Sequence, residues 1–134
     1  LKETVVIKHV LVAVANVEAS ASFYRPVLAT LSASALMEVP DPDTGSLAAV
    51  GFGDDTGAYF WIGSSTKERG PCHVAFSASS RAEVRAFHGA ALKAGGIDNG
   101  APGLRPQYHP DHFAAYVFDI DGHNIEAAFV GAEA

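Results

Sequence analysis

Two histidines and one glutamate each sit in a mostly apolar stretch of this chain. His9 lies in Ile7-Lys8-His9-Val10-Leu11, His73 in Cys72-His73-Val74-Ala75-Phe76, and Glu126 in Ile125-Glu126-Ala127-Ala128-Phe129. Desolvating an unpaired carboxylate is costly, so a glutamate in such a strand calls for a cation, a hydrogen-bond network or a place on the solvent face. Two imidazoles and a carboxylate brought together make a mixed nitrogen and oxygen set. Such a set binds Fe(II), Mn, Co, Ni or Zn and leaves coordination positions open for water or substrate. Open positions permit Lewis-acid chemistry. The plainer readings are a hydrogen-bonded core role for each histidine and, for the set, direct contact with an organic ligand.

The elements around these residues come in a repeated order. Residues 5–15 are nearly all apolar, which reads as a strand buried on both faces, with His9 in phase with Ile7, Leu11 and Ala13. Asn16 caps a helix whose stripe is Val17, Ala21, Tyr24, Leu28 and Leu31, and Pro26 should kink or tighten it. Three strands follow, Ser34 to Val39, Leu47 to Phe52 and Ala58 to Gly63, separated by Pro/Asp/Gly turn chemistry. Cys72 to Ala78 then restarts the series as a strand. Ser80 with Glu83 forms a capping box, and Val84, Phe87, Ala91 and Ala94 give the second helical stripe, closed by Gly95-Gly96. Strand-like pieces recur at Ile97 to Leu104, Phe113 to Phe118 and Asn124 to Val130, with an Asp-x-Asp-Gly turn before the last. Laying His73 on His9 also aligns Val74 with Val10, Phe87 with Phe23 and Leu92 with Leu28. The reading is one α+β domain over 1–134, built from two βαβββ modules at about 5–63 and 72–130. Bulk on alternate positions (Val74, Phe76, Ile125, Ala127, Phe129) faces the helices. Small neighbours (Ala75, Ser77, Ala128) leave a hollow on the other side of a cupped mixed sheet. Leu11, Ala13, Ala75, Ala128 and part of Tyr59 to Trp61 should wall that hollow.

Composition limits the partners. Of 134 residues 49% are hydrophobic, enough for one packed core, and the net charge of −6 without a Lys/Arg cluster speaks against nucleic acid. The longest apolar run, Val10 to Ala15, is too short to span a bilayer, and no secretory h-region is visible. A single cysteine, Cys72, excludes an intrachain disulfide and fits a reducing, cytoplasmic setting.

The ordered set Ile7-Lys8-His9-Val10, Phe23-Tyr24-Arg25-Pro26-Val27-Leu28, His73-Val74-Ala75-Phe76, Gly103-Leu104-Arg105-Pro106-Gln107-Tyr108 and Asp121-Gly122-His123-Asn124-Ile125-Glu126 resembles the vicinal oxygen chelate superfamily. This is the fold of glyoxalases, bleomycin-resistance proteins and extradiol dioxygenases. The resemblance implies a divalent metal on His9, His73 and Glu126, chelated by vicinal oxygens of a small substrate. It places Tyr116 near the metal as hydrogen-bond donor or proton relay, and implies a homodimer whose chains complete each other's pockets. It leaves open isomerase, lyase, dioxygenase or a metal-free binding protein of the bleomycin-resistance type. Departures narrow the choice. The strand matching glyoxalase I's fourth ligand holds Ala58, Tyr59, Phe60 and Trp61 and no acid. Leu11 stands where fosfomycin-modifying members place a Thr, and no Lys or Arg follows Glu126 in this sequence. Common extradiol dioxygenases have about twice as many modules, although Tyr116 and the His109/His112 pair match their second-shell Tyr and His.

The remaining polar residues have ordinary readings. His109, Asp111 and His112 read as loop residues, His88 as helix surface, His123 as a turn residue and Cys72 as inert core. Arg105 either meets an anionic substrate or fixes its own loop.

Overall fold

The computed structural model describes residues 6–65 and 70–133. Its order is β1 (Val10–Val14), α1 (Val17–Ala29), β2 (Ser34–Pro40), β3 (Leu47–Asp54), β4 (Gly57–Ser64), β5 (His73–Ser77), α2 (Arg81–Lys93), β6 (Ile97–Leu104), β7 (His112–Phe118) and β8 (Asn124–Val130). The two βαβββ modules are therefore present, and the mixed sheet comes as two four-stranded halves, β1-β4-β3-β2 and β5-β8-β7-β6. In each half the first strand runs parallel to the last and the other pairings are antiparallel.

Local chemistry sets the boundaries. Asn16 accepts from the Ala19 N–H at 2.9 Å, and Ser80 accepts from the Glu83 N–H at 3.1 Å, so each helix starts on a side-chain oxygen. Glu83 reaches back to the Ser79 N–H rather than to that of Ser80, one residue earlier than a capping box requires. The stripes expected on α1 and α2 are the buried faces: Val17, Ala21, Tyr24 and Leu28 on one, Val84, Phe87 and Ala91 on the other. An aromatic row joins the modules through the core, with ring centroids 5.0 Å apart for Tyr24 and Phe60, 5.1 Å for Phe60 and Phe76, and 6.2 Å for Phe76 and Phe87. Each such ring buries a large apolar area and adds edge-to-face attraction to it.

The turn before β8 is held by one buried carboxylate. Asp119 Oδ1 accepts from the backbone N–H groups of Asp121 and His123, and its Oδ2 accepts from the Tyr24 hydroxyl of α1. Gly122 takes φ of 88° there, a conformation that side-chain-bearing residues rarely adopt.

The first strand differs from its sequence reading. Val5 lies outside the described residues, pairing begins at Val10, and Val10 and Leu11 are exposed while Val12 and Val14 are buried. The reason is position: β1 is an edge strand that pairs only with β4, Val10 stands at its end, and Leu11 alternates to the face opposite the buried Val12 and Val14. No helix among the described residues is long and apolar enough to cross a membrane.

Candidate active site

Register brings two of the expected ligands together. In the parallel pair β5 and β8, His73 lies opposite Asn124 and Ala75 opposite Glu126, so these four side chains share one face of the sheet. On that face His73 Nε2 stands 2.6 Å from Glu126 Oε1. The carboxylate is buried while the imidazole is exposed, and the acid that looked costly in the sequence has found its partner. Tyr116 of β7 sits opposite Glu126 in the antiparallel register. Small residues keep the face open: Ala75 and Ala128 line, with this pair, a cavity of about 660 Å³.

The rest of the wall comes from β6, β7 and the connection between them. Asn99, Arg105, Gln107, Tyr108 and His112 close around the pair. Gln107 and Tyr108 belong to the Gly103 to Tyr108 segment of the resemblance but carry no site role in the sequence reading, because nothing in a polar turn shows that it folds over a pocket; the Tyr108 N–H to Arg105 carbonyl bond at 3.0 Å makes that turn. His112 proves to be the first residue of β7 rather than a loop residue, and its Nε2 is cut off from solvent with no hydrogen-bond partner.

Burial, and after it the negative charge of Glu126, raise the Tyr116 pKa above the ordinary tyrosine value. The hydroxyl is therefore held in its protonated form at neutral pH, able to donate a hydrogen bond and ill suited to act as a base.

His9 is elsewhere in the chain. It lies just before β1, exposed, with its ring 6.4 Å from that of Trp61, and lines a separate pocket with Lys8, Tyr59, Phe60 and Ser77. Among the described residues no group of three His, Cys, Asp or Glu side chains converges. The expected walls divide in the same way. Ala128 lines the cavity of the pair, Ala75 lines both that cavity and the His9 pocket, Leu11 and Ala13 line neither, and Tyr59 and Phe60 contribute to the His9 side. Phe60 is core, and Trp61 lies over Gly51, where a Cβ would come within 2.6 Å of the indole. Cys72 is half-buried against the core, and His88 holds Asp98 at 2.9 Å.

His73 and Glu126 suit a divalent ion. A nitrogen and an oxygen bound at right angles to one ion, with bonds of about 2.1 Å, stand about 3 Å apart, so the observed pair needs little spreading. Their chemistry matches the borderline metals named above.

The sequence profile of the Glyoxalase/Bleomycin resistance protein/Dioxygenase superfamily matches residues 6–127. This chain belongs to that superfamily. Solved structures agree with the assignment. A glyoxalase/bleomycin resistance protein from Albidiferax ferrireducens T118 is 26% identical, with a TM-score of 0.75 over 91% of this superfamily member and 97% of that chain. The genomically encoded fosfomycin resistance protein FosX from Listeria monocytogenes is 18% identical, with a TM-score of 0.65 over 97% of this chain and 96% of that one. TioX from Micromonospora sp. ML1 is 14% identical, with a TM-score of 0.68 over 91% and 96%. The last two likenesses speak for the glyoxalase-type fold alone. No curated protein matches.

Proposed function

We propose that this chain is a metal-dependent enzyme that acts on a small oxygen-bearing molecule, with His73 and Glu126 as the ligands contributed by one chain. The observation that carries the reading is the 2.6 Å approach of His73 Nε2 to a buried Glu126 carboxylate at the floor of an open cavity. A divalent ion bound there would polarise substrate oxygens as a Lewis acid. The protein's own part is to position and to donate. Glu126 supplies the negative charge, Tyr116 offers a protonated hydroxyl beside it, and Asn99, Gln107 and Asn124 offer amide groups for orienting a polar substrate.

The third ligand, in this proposal, is His9 of a second copy in a homodimer. Two observations support it. His9 is exposed, and so are apolar residues beside it, with Ile7 71% and Leu11 58% exposed, and on the far edge strand β2 of the same half-sheet, where Met37 is 53% exposed. Apolar strand faces of that kind are what a partner covers. Glyoxalase I activity is not part of the proposal, since β4 supplies aromatic and apolar residues and no acid at its expected ligand position.

A second reading keeps the fold and drops the chemistry. Among the described residues no third metal-type donor converges with His73 and Glu126, and the aromatic rings of Tyr108 and Tyr116 could hold an organic molecule directly, as in a sequestering protein. Element analysis of protein refolded with Mn²⁺, Fe²⁺, Co²⁺, Ni²⁺ or Zn²⁺ decides between them. Uptake of a divalent ion that is lost on Glu126→Ala supports the enzyme, and no uptake of any of them supports the binding protein.

A further inference from the structure

We propose that Arg105 is the specificity-determining residue of this pocket and that the substrate is a small organic acid whose carboxylate it receives. This deepens the reading above and rests on it for the position of the substrate's other oxygens. Four arginines fall among the described residues, and three of them have carboxylate partners: Arg25 with Glu38 at 3.7 Å, Arg81 with Glu133 at 3.6 Å, and Arg85 with Glu133 at 2.8 Å. Arg105 has no carboxylate within ion-pair distance among the described residues, and it is the arginine that lines the cavity of His73 and Glu126.

Its guanidinium is fixed in place before any ligand arrives. Nη2 donates to the Ala101 carbonyl at 2.8 Å, Nη1 donates to the Leu104 carbonyl at 3.4 Å, and the group lies over the Tyr116 ring, 5.3 Å from its centroid. Two glycines make the room for this. A Cβ on Gly100 would come within 3.2 Å of Nη2 and 2.9 Å of the Tyr116 ring, and one on Gly103 within 3.2 Å of Nη1. The two carbonyls take two of the five N–H donors of a guanidinium, which leaves three for an oxyanion. Carbonyls orient the cation without neutralising it. In a chain of net charge −6, an uncompensated and pre-positioned cation in the pocket selects anions that the surface as a whole repels.

The geometry also limits the size of the acid. Tyr116 carries Arg105 on its ring and faces Glu126 in register, so one tyrosine side chain separates the cation from the ligand pair. In this proposal an acid with a carbonyl or hydroxyl oxygen next to its carboxylate gives the carboxylate to Arg105 and turns the other oxygen towards the ligand pair. Tyr108 and His112, with ring centroids 5.3 Å apart, supply a flat wall beside it.

The test compares acids with their neutral amides: salicylate with salicylamide, pyruvate with pyruvamide, and benzoate with benzamide. Each is titrated by calorimetry into the full chain with and without Mn²⁺. For at least one pair the acid binds about tenfold or more tightly than the amide, as expected for charge-assisted hydrogen bonds. Arg105→Gln lowers acid affinity by more than amide affinity and so removes that preference, and Arg105→Lys keeps part of it. Should Arg105→Gln fail to fold, the comparison of wild type with Arg105→Lys carries the test. Equal affinity within every pair, no binding by any acid, or an acid preference unchanged in both variants overturns the proposal. The metal reading fails separately: a chain that takes up no Mn²⁺ and still shows the Arg105-dependent preference upholds the acid site alone.

Discussion

His123 donates from Nε2 to the backbone carbonyl of Ala13, 2.9 Å away, and so ties the turn before β8 to the first strand of the other module. The tautomer follows from its second bond, since Nδ1 accepts the backbone N–H of Cys72 at 3.0 Å and must be unprotonated. The imidazole is buried, and it joins β1, the start of β5 and the β7–β8 turn at one point. Beside it the Ala15 N–H donates to Asp121 Oδ1 at 2.9 Å, a second link between the same two segments.

Replacing His123 by Leu should destabilise the protein by about 1–3 kcal/mol for each backbone group left unpaired in the interior. Gln in its place keeps one donor and one acceptor and should cost less. Urea unfolding of the three proteins checks this. A Leu variant with the wild-type midpoint would show that the imidazole only fills space.

Tyr24 and Asp119 set an alkaline limit. Burial first, and then the Asp119 charge, raise the Tyr24 pKa well above the ordinary tyrosine value of 10.0. The folded state thus holds this proton more tightly than the unfolded chain, so its contribution is complete below about pH 10 and is lost as pH rises through the folded pKa. Tyr24→Phe should lower stability at neutral pH by about 1–3 kcal/mol, because the buried Asp119 loses a donor. It should also flatten the fall in melting temperature above pH 10. Parallel alkaline curves for the two proteins would contradict this.

Much of the fold was legible because its signals are local. Helical stripes, the caps at Asn16 and Ser80, and the Asp-x-Asp-Gly turn each work within a few residues, and the structure keeps them. Small neighbours and the family resemblance put His73 and Glu126 in one hollow; that their strands adjoin is seen only in the structure. What escaped depends on which element covers which. Nothing in Val10-Leu11 says that one face of the strand lies bare, and nothing around His123 says that its turn packs on Ala13 rather than on water. His9 shows the same limit: alternation gave its phase, but not that it lines a different pocket from His73 and Glu126 within the chain.

Glu126→Ala removes the carboxylate of the ligand pair, while His112→Ala removes only a wall residue with an unpartnered nitrogen. Losing a residue that merely supports a ligand costs about 10–100-fold in metal affinity, and loss of the ligand itself should exceed that. His112→Ala should stay within that range or below it. Metal titration followed by thermal melting ranks the two variants. Equal losses would mean that Glu126 is no ligand and that its contact with His73 is structural.

The shared site is tested most directly by mixing two disabled chains. His9→Ala and Glu126→Ala are each expected to lose bound metal as pure proteins. Carried on different affinity tags, unfolded together, refolded and purified as mixed dimers, they should recover about half the wild-type metal content, because one site then receives His9 from one chain and His73 with Glu126 from the other. Mixed dimers with no more metal than either variant alone, or a wild-type chain that runs as a monomer with its full metal load, would contradict the account.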